Sequence, residues 1–211
     1  MRGIFIVLEG PDGSGKSTVI KNIRKYLESR GIDVIETREP GGTDIGESIR
    51  KIILDNRNKA MLPETEALLL AAARGQHVKE KILPAIESGK VVLCDRFVLS
   101  SLAYQGVGRD LGVEEVRMIN DFAIKGIRPD LTLFFDVDPE TTLQRKTQNK
   151  EGDRLETEGV GFHRKVYDGY LSILRDCSES IVIIDATKSK KEVISQSIVH
   201  IENFLKGRLL L

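Results

Sequence analysis

Residues 10–17 hold the clearest chemical pattern in this sequence, because Gly10, Gly15, Lys16 and Ser17 fit G-x-x-x-x-G-K-[ST]. The glycines allow backbone N–H groups to point inward at phosphate oxygens, and the N-terminus of the next helix adds partial positive charge. We expect Lys16 to reach the β- and γ-phosphates of a nucleotide and Ser17 to hold Mg²⁺. The predicted nucleotide-binding segment comprises Gly10, Pro11, Asp12, Gly13, Ser14, Gly15, Lys16, Ser17 and Thr18.

Charged residues also follow two other predicted strands. Asp95 and Arg96 come directly after the apolar run 91–94, and residues 37–43 read T-R-E-P-G-G-T. In an open parallel sheet, ligands bind at the carboxyl ends of the strands. A carboxylate at position 95 would therefore lie beside the phosphate loop and hold Mg²⁺ or its waters, while the Arg96 guanidinium could bind a second phosphate through two hydrogen bonds. The sequence predicts a rim that binds phosphate groups.

The elements that must position these residues alternate along the chain. Apolar runs of strand length cover residues 4–8, 33–36, 91–94, 131–135 and 181–184. Segments with helical spacing cover residues 17–29, 45–54, 63–88, 100–104, 113–124, 139–146, 162–175 and 193–205. Pro84 should kink or interrupt the longest of these. Strands separated by helices predict an α/β fold, with a five-stranded parallel sheet covered by helices on both faces. We expect one domain over residues 1–211, with a polar lid segment at about 147–161.

Composition excludes several other classes of protein. The chain has 211 residues with 32 Lys plus Arg and 32 Asp plus Glu, so its formal net charge is zero. This balance argues against a dedicated nucleic-acid binder. Cys94 and Cys177 have neither a disulfide framework nor metal-ligand spacing. The longest apolar runs are far shorter than the ~20 residues needed to cross a membrane. We therefore expect a cytoplasmic protein with no membrane partner.

Taken together, these motifs resemble bacterial thymidylate kinases. The resemblance rests on the phosphate loop with Asp12, the T-R-E-P-G-G-T segment, Ala72-Ala73-Arg74, Asp95-Arg96, and S-S-L-A-Y-Q-G at residues 100–106. The motifs occur in the family's order and spacing, from residue 4 to about 205. The resemblance implies a P-loop nucleotide kinase fold and a homodimer. It also implies transfer of the γ-phosphoryl of ATP to dTMP with Mg²⁺, in dTTP synthesis for DNA precursors.

The resemblance also implies a role for particular residues. Lys16, Arg38, Asp95 and Arg96 are expected to be catalytic, with Ser17 and Asp95 at the metal. The expected substrate-binding residues fall into three groups. Arg38, Arg50 and Arg96 are expected near the acceptor phosphate, with Glu39 in the same rim, and Asp12 is expected near the deoxyribose 3′-hydroxyl. Arg74, Ser101 and Gln105 are expected at the thymine edge, and Tyr104 where a ribose 2′-hydroxyl would project. Leu70 is also expected to bind the substrate through apolar contact, but here the sequence departs from the family, which usually has a phenylalanine that stacks on thymine.

The lid segment is rich in cations. The phosphate loop has Gly13 and Ser14 where some members of the family carry an arginine, and the bacterial pattern places basic residues in the lid instead. Those in or beside residues 147–161 are Arg145, Lys146, Lys150 and Arg154. A lid cation can neutralise charge that develops on the transferring phosphoryl group. We expect Arg154 first, and Arg145 second, to be catalytic.

Two alternatives remain open at this point. A phosphate-loop kinase for another acceptor would share Lys16 and Asp95 but need not keep both Arg38 and Arg96. A GTP-dependent switch protein would carry N-K-x-D to recognise guanine, and residues 149–152 read N-K-E-G, which lacks the aspartate. The departure at Leu70 bears on the acceptor base more than on the reaction.

Overall fold

Five parallel strands form one sheet in the computed structural model, which describes residues 2–146, 152–175 and 180–208. The strands are β1 (Ile4–Glu9), β2 (Val34–Arg38), β3 (Val91–Asp95), β4 (Leu131–Asp136) and β5 (Ile181–Asp185). Their order across the sheet is β2-β3-β1-β4-β5. All four pairings are parallel. The predicted fold class is confirmed, and each strand lies within one or two residues of its predicted bounds.

Helices connect the strands. They are α1 (Lys16–Ser29), α2 (Asp44–Leu54), α3 (Pro63–His77), α4 (Leu83–Glu87), α5 (Val98–Ser101), α6 (Val113–Ile124), α7 (Pro139–Lys146), α8 (Val160–Arg175) and α9 (Lys190–Lys206). A π-helical segment, Val78–Ile82, joins α3 to α4, and a second one, Leu102–Gly108, extends α5. The interruption expected at Pro84 takes the form of the first π-helical segment.

The apolar residues of β1 explain its central place in the sheet. Ile4, Ile6 and Leu8 face a core formed with α1 and α9, whereas Phe5 and Val7 face a second core on the other side of the sheet. Both faces are buried, as expected for a strand in the middle of a parallel sheet. Each fully buried aliphatic side chain contributes roughly 1.5–3 kcal/mol. This burial fixes the position of the loop that follows β1.

Strand register brings the charged strand ends together. Arg38 of β2 pairs with Asp95 of β3, which in turn pairs with Leu8 of β1. The next residue of β1 is Glu9, so its carboxyl end and those of β2 and β3 meet at one edge of the sheet. The phosphate loop begins at that edge. No helix in the described parts of the chain is long and apolar enough to span a membrane.

Candidate active site

The phosphate loop joins β1 to α1, and glycine is required at its first position. Gly10 has a φ of 134°, and a Cβ atom there would lie 2.6 Å from the carbonyl oxygen of Phe135. Gly15 caps α1 with a φ of 92°. These conformations strongly favour glycine and turn the loop around a concave centre. The backbone therefore has the shape that a phosphate chain requires.

Lys16 curls over this loop. Its Nζ donates to the carbonyl oxygens of Gly10 and Pro11 at 2.9 and 2.8 Å and to Oγ of Ser14 at 3.2 Å. Burial, assisted by the positive charge of Arg96, lowers the pKa of Lys16 to about 8. Phosphate oxygens would add negative charge beside this buried ammonium and so favour its charged form.

Ser17 and Asp95 face each other at the expected metal position. Oγ of Ser17 donates to Oδ2 of Asp95 at 3.1 Å. Oδ1 of Asp95 is buried and has no hydrogen-bond partner among the described residues. A hydroxyl and a carboxylate oxygen are hard ligands of the kind that Mg²⁺ takes together with phosphate oxygens. The residues present therefore fit a Mg²⁺ ion.

Arg96 lies at the centre of a polar network. Its Nη2 donates to Oδ1 of Asp12 at 2.8 Å, and its Nη1 donates to Ser100 Oγ at 2.9 Å and Tyr170 Oη at 3.0 Å. Its φ of 72° is uncommon for an arginine. Glu9 supports the turn that follows, because it accepts hydrogen bonds from the backbone N–H groups of Phe97 and Ser100 at 2.8 and 3.1 Å. Burial raises the pKa of the Glu9 carboxyl, although the charge of Arg96 opposes this shift.

Two neighbouring clefts contain most of the predicted site residues. The first, of about 580 Å³, is lined by the predicted residues Asp12, Glu39, Arg50, Leu70, Arg74, Arg96, Ser101, Tyr104 and Gln105. The second, of about 830 Å³, is lined by Asp12, Gly13, Gly15, Lys16, Ser17, Thr18, Arg38, Glu39, Arg50, Asp95, Arg96 and Glu156. We call them the acceptor cleft and the phosphate cleft. Asp12, Glu39, Arg50, Arg96 and Glu156 line both, so the clefts meet there.

One wall of the acceptor cleft is built around Arg74, whose side chain is 2% exposed. Its Nε donates to Glu39 at 2.6 Å, its Nη1 donates to Ser101 at 2.9 Å and also to Asn120, and its Nη2 donates to the carbonyl of Phe97 at 3.0 Å. Glu39 also contacts Nδ1 of His77 at 2.9 Å. These contacts hold the guanidinium in a fixed orientation against the cleft.

Tyr104 and Leu70 form other parts of the same cleft. The Tyr104 hydroxyl donates to Oδ2 of Asp12 at 2.9 Å, and burial raises the pKa of this tyrosine, so it stays a hydrogen-bond donor. Leu70 is buried on α3, one helical turn before Arg74. The cleft wall therefore has an aliphatic side chain where the resemblance places an aromatic ring.

Two predicted cations, Arg38 and Arg154, lie differently from the rest. Arg38 lines only the phosphate cleft, where its Nη2 is 2.9 Å from Oε2 of Glu47. Arg154 lines neither cleft, because its side chain is buried with Nε donating to the carbonyl of Ile53 at 2.8 Å and Nη2 donating to Glu66 at 2.5 Å. The side chains of Arg145 and Lys146, and all of Lys150, lie outside the described residues. A catalytic lid cation stays a prediction.

Comparison with known proteins agrees with this geometry. The family model for thymidylate kinase matches residues 8–198. The chain belongs to the thymidylate kinase family. The thymidylate kinase of Finegoldia magna is 60% identical over 195 residues, covering 92% of this chain and 96% of that protein. That of Geobacillus sp. (strain WCH70) is 50% identical, and the match covers 99% of this chain and 100% of that protein. That of Clostridium novyi is 49% identical, and the match covers 97% of this chain and 99% of that protein. The recognition made from the motifs is confirmed.

Sequence reasoning missed several residues of this thymidylate kinase site. Glu9, Tyr170 and His77 are buried, and the sequence assigns them no role. Tyr170 accepts a hydrogen bond from Arg96 and His77 contacts Glu39, whereas Glu9 reaches the site through Tyr170 and Ser100. Only Glu9 carried a usable signal, because it ends an otherwise wholly apolar strand beside the phosphate loop. Tyr170 and His77 lie on helices distant in sequence from the residues they contact, so no local pattern marks them.

Proposed function

We propose that this chain transfers the γ-phosphoryl group of ATP to the 5′-phosphate of dTMP, giving dTDP and ADP, and so supplies precursors for DNA synthesis. The observation that carries the proposal is the junction of the two clefts at Asp12, Arg50 and Arg96. Two phosphate-bearing ligands bound on either side of that junction would bring their phosphate groups together. Phosphoryl transfer needs mainly such positioning and the neutralisation of charge.

The donor side is assigned to the phosphate loop. Lys16 would exchange its three loop oxygens for β- and γ-phosphate oxygens of ATP. Ser17 and Asp95 would hold Mg²⁺, which when bound neutralises phosphate charge. Arg38, Arg50 and Arg96 would bind the acceptor phosphate and keep it in line with the donor. Arg145 and Arg154 remain the candidates for a lid cation, and Arg154 would have to leave its contact with Glu66 to serve as one.

Thymine recognition is assigned to Arg74, Ser101 and Gln105. An arginine has five N–H donors. Within the described residues the hydrogen bonds of Arg74 use four of them, which leaves one N–H of Nη2 for a ligand. The O4 oxygen of thymine can accept from that group, whereas the N4 amino group of cytosine cannot. Tyr104, held by Asp12, would occupy the space of a ribose 2′-hydroxyl.

Steady-state acceptor preference tests this proposal. ADP formation from Mg²⁺ and ATP should be measured with dTMP, dUMP, dCMP, dGMP and AMP offered separately, against a reaction without acceptor. We expect a strong preference for dTMP. Activity on another monophosphate alone would keep the reaction and overturn the substrate, and folded protein with no acceptor-dependent ADP would overturn both.

Leu70→Phe should tighten dTMP binding. The side chain lines the acceptor cleft, and an aromatic ring stacked on thymine adds about 0.5–1.5 kcal/mol, or roughly 2- to 12-fold in affinity. Titration calorimetry with dTMP measures the effect, and ATP affinity serves as the internal control. Unchanged dTMP affinity would mean that thymine does not stack against this position.

We also propose a homodimer. Leu68 of α3 and Met118 and Phe122 of α6 are exposed large apolar residues, and Phe122 is 75% exposed. Since α3 and α6 pack side by side, these side chains belong to adjacent helices. Burying such a surface against a second copy is favourable.

Phe122→Lys should weaken that dimer. A charged side chain cannot be buried in an apolar interface without a large cost. Sedimentation velocity should find the wild-type chain at twice its own mass and the variant shifted toward the monomer. Val199→Lys on α9, which also replaces an exposed apolar residue, is the control. A monomeric wild type, or equal effects of both variants, would contradict the proposed interface.

A further inference from the structure

Glu66 is a buried carboxylate behind the acceptor cleft. It lies in the first turn of α3, is 1% exposed and lines neither cleft. Its Oε1 accepts a hydrogen bond from Nε2 of Gln105 at 2.8 Å. Its Oε2 accepts from Nη2 of Arg154 at 2.5 Å and from Nη2 of Arg109 at 3.3 Å. One carboxylate thus contacts both a residue of the acceptor cleft and the segment 152–158.

The contact with Gln105 fixes the direction of its amide. An ionised carboxylate only accepts hydrogen bonds, and arginine only donates them. Glu66 accepts hydrogen bonds from two arginines and from Nε2 of Gln105, so the amide of Gln105 turns its NH₂ group toward the carboxylate. The carbonyl oxygen of Gln105 then remains to accept from a ligand in the cleft. The N3–H group of thymine is a donor, whereas N3 of cytosine is an acceptor.

The contact with Arg154 holds the segment 152–158 against the cleft. The backbone N–H of Arg154 donates to the carbonyl of Leu54 at 3.1 Å, and its Nε binds the carbonyl of Ile53. Arg109 joins Glu66 to Glu158, whose carboxylate it meets at 2.6 Å. Three residues of this segment line the acceptor cleft: Asp153, Leu155 and Glu156. Loss of the Glu66 contact would therefore loosen one wall of the cleft.

We propose that Glu66 is a positioning residue that orients the Gln105 amide for a donor N–H on the base and, through Arg154, docks the segment 152–158 over the base. This inference rests on the proposed function, since it takes a pyrimidine monophosphate as the acceptor. Base selection and the closed state of the cleft then depend on one carboxylate. A ligand that donates a hydrogen bond to the side-chain carbonyl of Gln105 favours the arrangement in which Glu66 holds Arg154.

Glu66→Gln tests both parts, with Glu64→Gln, an exposed residue in the same helical turn, as the matched control. Arg154 and Arg109 only donate hydrogen bonds, so they bind the carbonyl oxygen of the new glutamine. The NH₂ group of that glutamine then faces Gln105, which must turn its own carbonyl oxygen toward it and its NH₂ group toward the cleft. We expect the ratio of kcat/KM for dTMP to that for dCMP to fall about tenfold or more. Trypsin should cleave after Arg154 faster than in the wild type. Glu66→Asp, which keeps an acceptor-only group, should retain more of the dTMP preference than Glu66→Gln.

The outcomes separate this inference from the function beneath it. Folded Glu66→Gln protein with the wild-type ratio and wild-type resistance at Arg154 would overturn the role of Glu66, as would equal effects of Glu64→Gln. A wild-type protein that does not phosphorylate dTMP would instead overturn the proposed function. If Glu66→Gln does not fold, proteolysis of the wild-type protein with and without ligand tests the coupling between base and segment. We expect dTMP to slow cleavage after Arg154 more than 2-deoxyribose 5-phosphate does, and equal protection by both would contradict coupling between base and segment.

Discussion

Lys16→Ala will lower kcat for dTMP-dependent ADP formation by about 10³-fold while the protein stays folded. The buried ammonium is held by three loop oxygens in the absence of nucleotide, and those contacts are local. Alanine removes the positive charge that would meet the β- and γ-phosphates, both in binding and in the transition state. The loss of transfer should therefore far exceed any loss of stability.

The control for this prediction is Lys21→Ala, which removes an exposed lysine from the same helix. Its kcat should remain near the wild-type value. Circular dichroism and Tm verify that both variants fold. Removing one preorganised hydrogen-bond donor from an active site usually lowers kcat by more than tenfold. Activity of Lys16→Ala within about tenfold of wild type would therefore contradict the assignment of the phosphate loop.

Arg96→Ala should lower kcat/KM for dTMP by about 10²–10³-fold and leave the Kd for ATP nearly unchanged. The guanidinium lies at the junction of the two clefts, held by Asp12, Ser100 and Tyr170. Its removal takes away a planar cation suited to bidentate phosphate binding. It also removes the ion pair that Arg96 makes with Asp12 at 2.8 Å, so less of the negative charge of Asp12 is compensated near the incoming phosphate.

The backbone at position 96 requires a second variant. Arg96 has a φ of 72°, and alanine is strained there, whereas glycine is not. Arg96→Gly should show the same kinetic loss as Arg96→Ala, which separates the missing charge from backbone strain. Kinetics with varied dTMP and calorimetry with ATP measure the two effects. If the variants instead lower the affinity for ATP, Arg96 belongs to the site that binds the phosphoryl donor.

The sheet and the phosphate-binding rim could be predicted because their signals are local. A run such as residues 4–8 is apolar at every position, as a strand buried on both faces must be. Asp95 and Arg96 directly follow such a run, so strand topology alone brings them to the rim. The path of the chain at Pro84 was less predictable. Leu83 donates to the carbonyl of Val78, five residues back, so a π-helical turn precedes the proline and the helix continues.

The lid and its anchor could not be predicted in the same way. Arg154 was expected at the phosphates because it is a cation in a polar segment, yet its side chain pairs with Glu66, which is far away in sequence. Glu66 itself resembles an ordinary acidic residue in the first turn of a helix. Its burial follows from the packing of α3 beside the π-helical segment Leu102–Gly108 and the segment 152–158. Only tertiary structure brings these three together.

Direct transfer between two bound nucleotides is the central claim, and a single turnover with ATP labelled in its γ-phosphoryl group tests it. The protein, in excess over labelled ATP and with Mg²⁺ and dTMP present, should be quenched over time and its products separated. The label should appear in the β-phosphate of dTDP, with one dTDP formed for each ADP. Label recovered mainly as inorganic phosphate, or at a rate that dTMP does not change, would contradict a kinase and favour a nucleotide-hydrolysing switch.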